Sequence, residues 1–99
     1  MEPVEPADST WLSSAAVVTD GDQIRAGRFR WQVGGELPQA FASYRRQLVA
    51  AGWSLRAEWG GGTRQSAELA KDSRRLVVTY TRHDPDALLV DVAIGPAAD

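Results

Sequence analysis

Between Leu37 and Ala51 the chain carries one apolar stripe at helical spacing. Leu37, Phe41, Tyr44, Leu48 and Ala51 recur at three- and four-residue steps, which aligns them along one side of a helix. Gln39, Arg45, Arg46 and Gln47 take much of the other side. Pro38 suits a first helical turn, where its missing N–H costs nothing, and Gly52 suits the left-handed position that closes a helix. The spacing predicts one helix over 37–51. A single amphipathic helix must bury its stripe on another layer, and the rest of the sequence has the period of a sheet.

From Gln23 to Val33, Phe29, Trp31 and Val33 point one way and Arg28, Arg30 and Gln32 the other. Such alternation is that of a half-buried strand, and Gly34-Gly35 ends it. Ahead of it, Ala15–Val18 reads as a short strand before the turn signal Asp20-Gly21-Asp22. After the helix come four more segments. In Trp53–Trp59, alternation puts Trp53, Leu55, Ala57 and Trp59 on one face and Ser54, Arg56 and Glu58 on the other. Gly60-Gly61-Gly62-Thr63 turns the chain into a weaker strand from Gln65 to Lys71, and Asp72-Ser73 is a short hairpin connection. Arg75–Arg82 is rich in β-branched residues, with Leu76, Val78 and Tyr80 opposed to Val77, Thr79 and Thr81. Asp84-Pro85-Asp86 turns again, Leu88, Val90, Val92 and Ile94 line a last strand, and Gly95-Pro96 stops it.

The expected fold is α+β: one amphipathic helix packed on one face of a mostly antiparallel, four- to six-stranded sheet, in the order β-α-β-β-β-β. Residues 11–96 form the domain, between a mobile lead-in at 1–10 and a tail at 97–99. A chain of 99 residues buries roughly 60–70% of its unfolded surface, enough for one core. Short turns between strands imply a sheet dry on one face and wet on the other. The wet face collects Arg28, Arg30, Arg56, Glu58, Glu68, Arg75, Val77, Thr79, Thr81 and Asp91. The four tryptophans are expected in the core, since each buries on the order of 200 Å².

Charge is unevenly spread beneath a net of −2. Residues 1–22 hold five acids and no base, residues 23–82 hold all eleven bases against four acids, and residues 83–99 hold four acids. A basic middle between acidic ends marks either an anionic partner or a self-compensating surface.

The chemistry-bearing residues assemble into no reactive set. There is no cysteine, which excludes disulfides, thiolate metal sites and a cysteine nucleophile. The one histidine, His83, sits in a turn beside Asp84 and Pro85 with no nucleophile at a telling spacing. One histidine and scattered acids give no four-ligand metal set. Gly60-Gly61-Gly62-Thr63 lacks the lysine and following helix of a phosphate loop, and no serine lies in a Gly-x-Ser-x-Gly elbow. The reading is of a non-enzyme without cofactor or metal. Arg28-Phe29-Arg30-Trp31 interleaves cations with aromatics as single-strand binders do. Here, however, alternation turns the rings toward the core and away from the arginines. A pI of about 5.3 and a single lysine also argue against nucleic acid.

No run approaches the ~20 apolar residues that span a bilayer. The opening Met1-Glu2-Pro3-Val4-Glu5-Pro6 lacks the basic-then-apolar order of a signal peptide. As written, the chain reads as cytoplasmic, and as a cell-envelope protein if a leader has been removed.

The segment Phe41-Ala42-Ser43-Tyr44-Arg45-Arg46-Gln47-Leu48-Val49-Ala50-Ala51-Gly52-Trp53, with the strands Leu76–Tyr80 and Leu88–Val92 after it, resembles small bacterial α+β domains. Many of these are the soluble part of envelope lipoproteins, in which a "YR..L...GW" helix end leads into a β-meander. The resemblance covers residues 37–95. It implies the fold and transfers no functional residue, and the lipid-accepting cysteine of those proteins is absent. Together these readings lead to a non-catalytic interaction module that binds a protein partner or another copy of itself. The alternative is an anionic ligand or nucleic acid held on the arginine-rich sheet face. The candidate interaction surface is Trp11, Arg28, Arg30, Arg56, Trp59 and Arg75, with Trp11 and Trp59 as anchors.

Overall fold

In the computed structural model, which describes residues 5–6, 8–21 and 23–96, six strands and one helix succeed one another along the chain. They are β1 (Thr10–Asp20), β2 (Gln23–Val33), α1 (Leu37–Ala50), β3 (Ser54–Gly61), β4 (Arg64–Lys71), β5 (Arg74–Asp84) and β6 (Ala87–Pro96). The strands form one antiparallel sheet in the order β1-β2-β6-β5-β4-β3. The expected α+β architecture is therefore present. Two strands, rather than one, precede the helix, and β1 reaches well beyond the short 15–18 segment. The lead-in includes Pro6, which is buried, and Glu5, whose carbonyl accepts a 2.6 Å bond from Gln47 Nε2.

The helix forms as its spacing requires. Pro38 lies in its first turn, and Leu37, Phe41, Tyr44 and Leu48 are buried. Gly52, at φ +102°, closes it in a conformation that costs a glycine little. Its stripe lies over β4 and β5. There Tyr80 meets Phe41 edge-to-face, with ring centroids 5.7 Å apart, and approaches Tyr44 at 6.1 Å. Burial pushes both phenols well above their ordinary titration range, and the charge of an ionised Tyr80 would raise Tyr44 further. Among the described residues no helix is long and apolar enough to cross a membrane.

Strand register divides the sheet into rows. On the helix side one row runs Trp31, Val90, Tyr80, Gln65, Gly60, and the next runs Phe29, Val92, Val78, Ala67, Glu58. On the other face the intervening rows are Arg30, Asp91, Thr79, Ser66, Trp59 and Arg28, Ala93, Val77, Glu68, Ala57. In β2, β5 and β6 these faces are those expected from alternation.

In β3 they are not. Leu55 pairs with Leu69, and the next pair is Ala57 with Glu68, so Arg56 is an extra residue in a β-bulge. A one-residue insertion reverses the facing of everything beyond it. Ala57 and Trp59 are thereby turned to the face opposite the helix, and Glu58 to the helix side, where its carboxylate accepts from Arg45 of α1. Glu58 therefore leaves the expected wet face and Trp59 joins it. A second bulge, at Arg25, lies between the pairs Val18–Ala26 and Thr19–Ile24 and returns Ile24 to the buried side. Strand β1 is irregular at Leu12 and again at Ala16, whose φ is +54°.

The tryptophans divide accordingly. Trp31 and Trp53 are buried, whereas Trp11 and Trp59, both on edge strands, are 57% and 48% exposed. An edge strand has a neighbour on one side only, so a large ring there lacks the second flank of cover found in central strands. Below the core, Arg74 is almost completely buried, its guanidinium 5.1 Å over the Trp53 ring. It donates to the Ile24 carbonyl at 3.1 Å and so ties β5 to the foot of β2. A planar cation suits this stacked site as no ammonium would.

Candidate binding surface on the open sheet face

The face that α1 leaves uncovered is concave. Ser13–Ala15 of β1 and Arg64 of β4 line the same depression as residues of β2, β6 and β5, so five adjacent strands curve around one hollow of about 440 Å³. That volume falls in the range of small-ligand sites. Bulges sharpen local twist, and both edge strands of the sheet, β1 and β3, carry them.

Small and apolar side chains of Val77 and Ala93 form much of the floor. Ser66 is buried, and its hydroxyl lies 3.0 Å from that of Thr79, so neither is left unpaired at the bottom. Around this floor stand Arg28, Arg30, Arg64 and, in the adjoining part of the groove, Arg75. Arg30 Nε donates to Asp91 Oδ1 at 2.7 Å, and Arg75 pairs with Glu68 at 3.0 Å. Arg28 and Arg64 have no ion-pair partner among the described residues. Among the described residues, these four arginines and the two carboxylates they face sum to +2, in a chain whose net charge is −2. At the β3 rim Trp59, with Gly60 and Gly61, borders a continuation of the hollow that shares Arg64 and Thr79 with it.

Of the expected surface residues, Arg28, Arg30 and Arg75 come together here, and the β3 bulge brings Trp59 to the same face. Arg56 forms the bulge itself, exposed on the edge strand and outside the hollow. Trp11 is opposite Trp31 and belongs to the helix side. Trp11 and Trp59 thus lie on opposite faces and edges of the sheet and cannot anchor one surface. Arg64 is absent from the expected surface because the sequence pattern of the weak strand begins at Gln65, whereas β4 begins at Arg64. Extending the alternation of Glu68 and Ser66 back by two residues places Arg64 on the open face.

A hollow of this kind binds by arginine forks and an apolar floor. A guanidinium offers paired N–H donors that match a carboxylate or phosphate, and the floor accepts short aliphatic groups. His83, the one histidine, is exposed near the end of β5, away from the hollow. No protein-family model, curated protein or solved structure was found to match this chain.

Proposed function

We propose that this protein is a non-catalytic binding module that holds an acidic segment of a protein partner in the hollow of its open sheet face. The observation that carries the reading is the pair Arg28 and Arg64, which line one concave, partly apolar hollow and have no ion-pair partner among the described residues. Arg30 and Arg75 are already paired and set the walls. An occupant with carboxylates spaced by small apolar residues satisfies both the unpaired guanidinium groups and the Val77–Ala93 floor. Trp59 at the rim adds an exposed ring of the type that dominates interface energetics. Nucleic acid is a poorer match. Phosphate backbones are held by rows of cations, and two unpaired arginines in an acidic chain do not make such a row.

The test is fluorescence anisotropy with a labelled peptide of alternating glutamate and valine, beside a labelled single-stranded oligonucleotide. The peptide should bind the wild type, and the double variant R28E/R64E should abolish binding while leaving the circular dichroism spectrum unchanged. Absence of peptide binding, or binding indifferent to R28E/R64E, overturns the reading. Oligonucleotide binding stronger than peptide binding and falling steeply with salt would replace it with nucleic-acid recognition.

A further inference from the structure

The two edges of the sheet are guarded very differently. Edge strands usually carry charge or are covered, because their free N–H and C=O groups pair with any other strand. Both edges carry register irregularities, so charge is what separates them, and β3 has Arg56 and Glu58. Strand β1 has no charged residue from Thr10 to Thr19, although 24% of the chain is charged. All eleven residues of β1 are exposed, including Trp11, Leu12, Val17 and Val18. These four large apolar residues are also placed symmetrically. Two precede and two follow the small run Ser13-Ser14-Ala15-Ala16.

From this we infer that β1 is a homodimerisation edge, pairing antiparallel with β1 of a second copy about a two-fold axis near Ser14. A self-complementary patch is what an isologous interface requires. Antiparallel pairing centred there sets Trp11 of each copy opposite Val17 of the other, and Leu12 opposite Ala16. The small residues meet at the axis, and no like charges oppose one another. A partner of different sequence would need no such internal symmetry. Pairing of this kind joins the two sheets into one of twelve strands, six from each copy, with both hollows on the same face. This inference is independent of what the hollow binds.

Light scattering coupled to size exclusion, across micromolar to millimolar concentrations, should give twice the monomer mass for the wild type. Ser14→Lys and Ser14→Glu each place like charges side by side at the axis. Each should run as a monomer with wild-type circular dichroism where the wild type is dimeric. An equimolar mixture of the two should recover the dimer. Leu55→Lys, on the opposite edge, and R28E/R64E should remain dimeric. A wild type that is monomeric throughout overturns the inference. So does persistence of the dimer in both Ser14 variants, failure of the mixture to recover it, or its loss in Leu55→Lys.

Discussion

Gly60 holds the end of β3 at the rim of the hollow, and its replacement by alanine is the sharpest test of how that rim is built. Its φ is +105°, and a Cβ added there would lie 2.5 Å from the Arg64 carbonyl oxygen and 3.1 Å from the Gln65 Cα. Both neighbours are backbone of the paired strand β4, so no rotamer change relieves the contact. Two costs combine. A non-glycine residue at such a φ is strained by about 1–3 kcal/mol, and forcing paired strands apart adds about 1–3 kcal/mol, as overpacking does. Gly60→Ala should therefore destabilise by about 2–6 kcal/mol. Gly62 is the internal control. It also has positive φ, +61°, but nothing lies within 4 Å of its added Cβ, so Gly62→Ala should cost only the left-handed strain of about 1–2 kcal/mol. Urea unfolding followed by tryptophan fluorescence measures both, and in a domain this size each kcal/mol lowers Tm by roughly 4–8 °C. Equal losses in the two variants, or a Gly60→Ala loss under about 1 kcal/mol, would show that the close approach of β3 to β4 is not as described.

Four further outcomes are expected. Leu48 is fully buried under the helix, and Leu48→Ala should cost about 2–5 kcal/mol in the same unfolding assay. Because burial raises the Tyr44 and Tyr80 phenols above their ordinary value of 10.0, the folded state holds those protons more tightly. Stability should then be level through neutral pH and fall as pH rises past 10. Tyr80→Phe should flatten that fall, as read from denaturation midpoints and tyrosinate absorbance. Arg74→Ala removes the stack on Trp53 and strands the Ile24 carbonyl, and should cost about 2–4 kcal/mol by chemical denaturation. By contrast, Arg45→Ala should cost under about 1 kcal/mol, because its pair with Glu58 is partly exposed and screened.

How much of this was legible in the sequence depends on whether a feature is set by neighbours along the chain or by neighbours across the sheet. The helix was fully readable, since Pro38, the Leu37–Leu48 stripe and Gly52 act within a few residues of one another. So were the faces of β2 from Gly27 on, and those of β5 and β6. There strict alternation puts Arg28 and Arg30 on one side and Phe29 and Trp31 on the other, and the pairing of β2 with β6 runs from Gly27 to Val33 without a register shift. The Asp72-Ser73 hairpin was equally local, and both residues adopt the positive φ such a turn needs.

What the hollow is made of was decided in three dimensions. Nothing local distinguishes Arg56 as a bulge. It shows only in the pairing with β4, where it falls between Leu55–Leu69 and Ala57–Glu68, turns Glu58 toward Arg45 of α1 and carries Trp59 to the open face. Arg64 reads as a loop residue until β4 pairs with β5 at Thr81. Arg74, one arginine of a charged chain, is buried because Trp53 and the Ile24 carbonyl meet at the foot of the sheet. The insertion of β6 between β2 and β5 brings Arg28 and Arg30 within one hollow with Arg64, residues more than thirty positions apart in the chain. Hydrophobic period along the chain determined the helix, most strands and the faces of the central ones, because these depend on neighbours in sequence. The strand order, the bulges and the arginine hollow belong to the tertiary structure, because they depend on which strand comes to lie beside which.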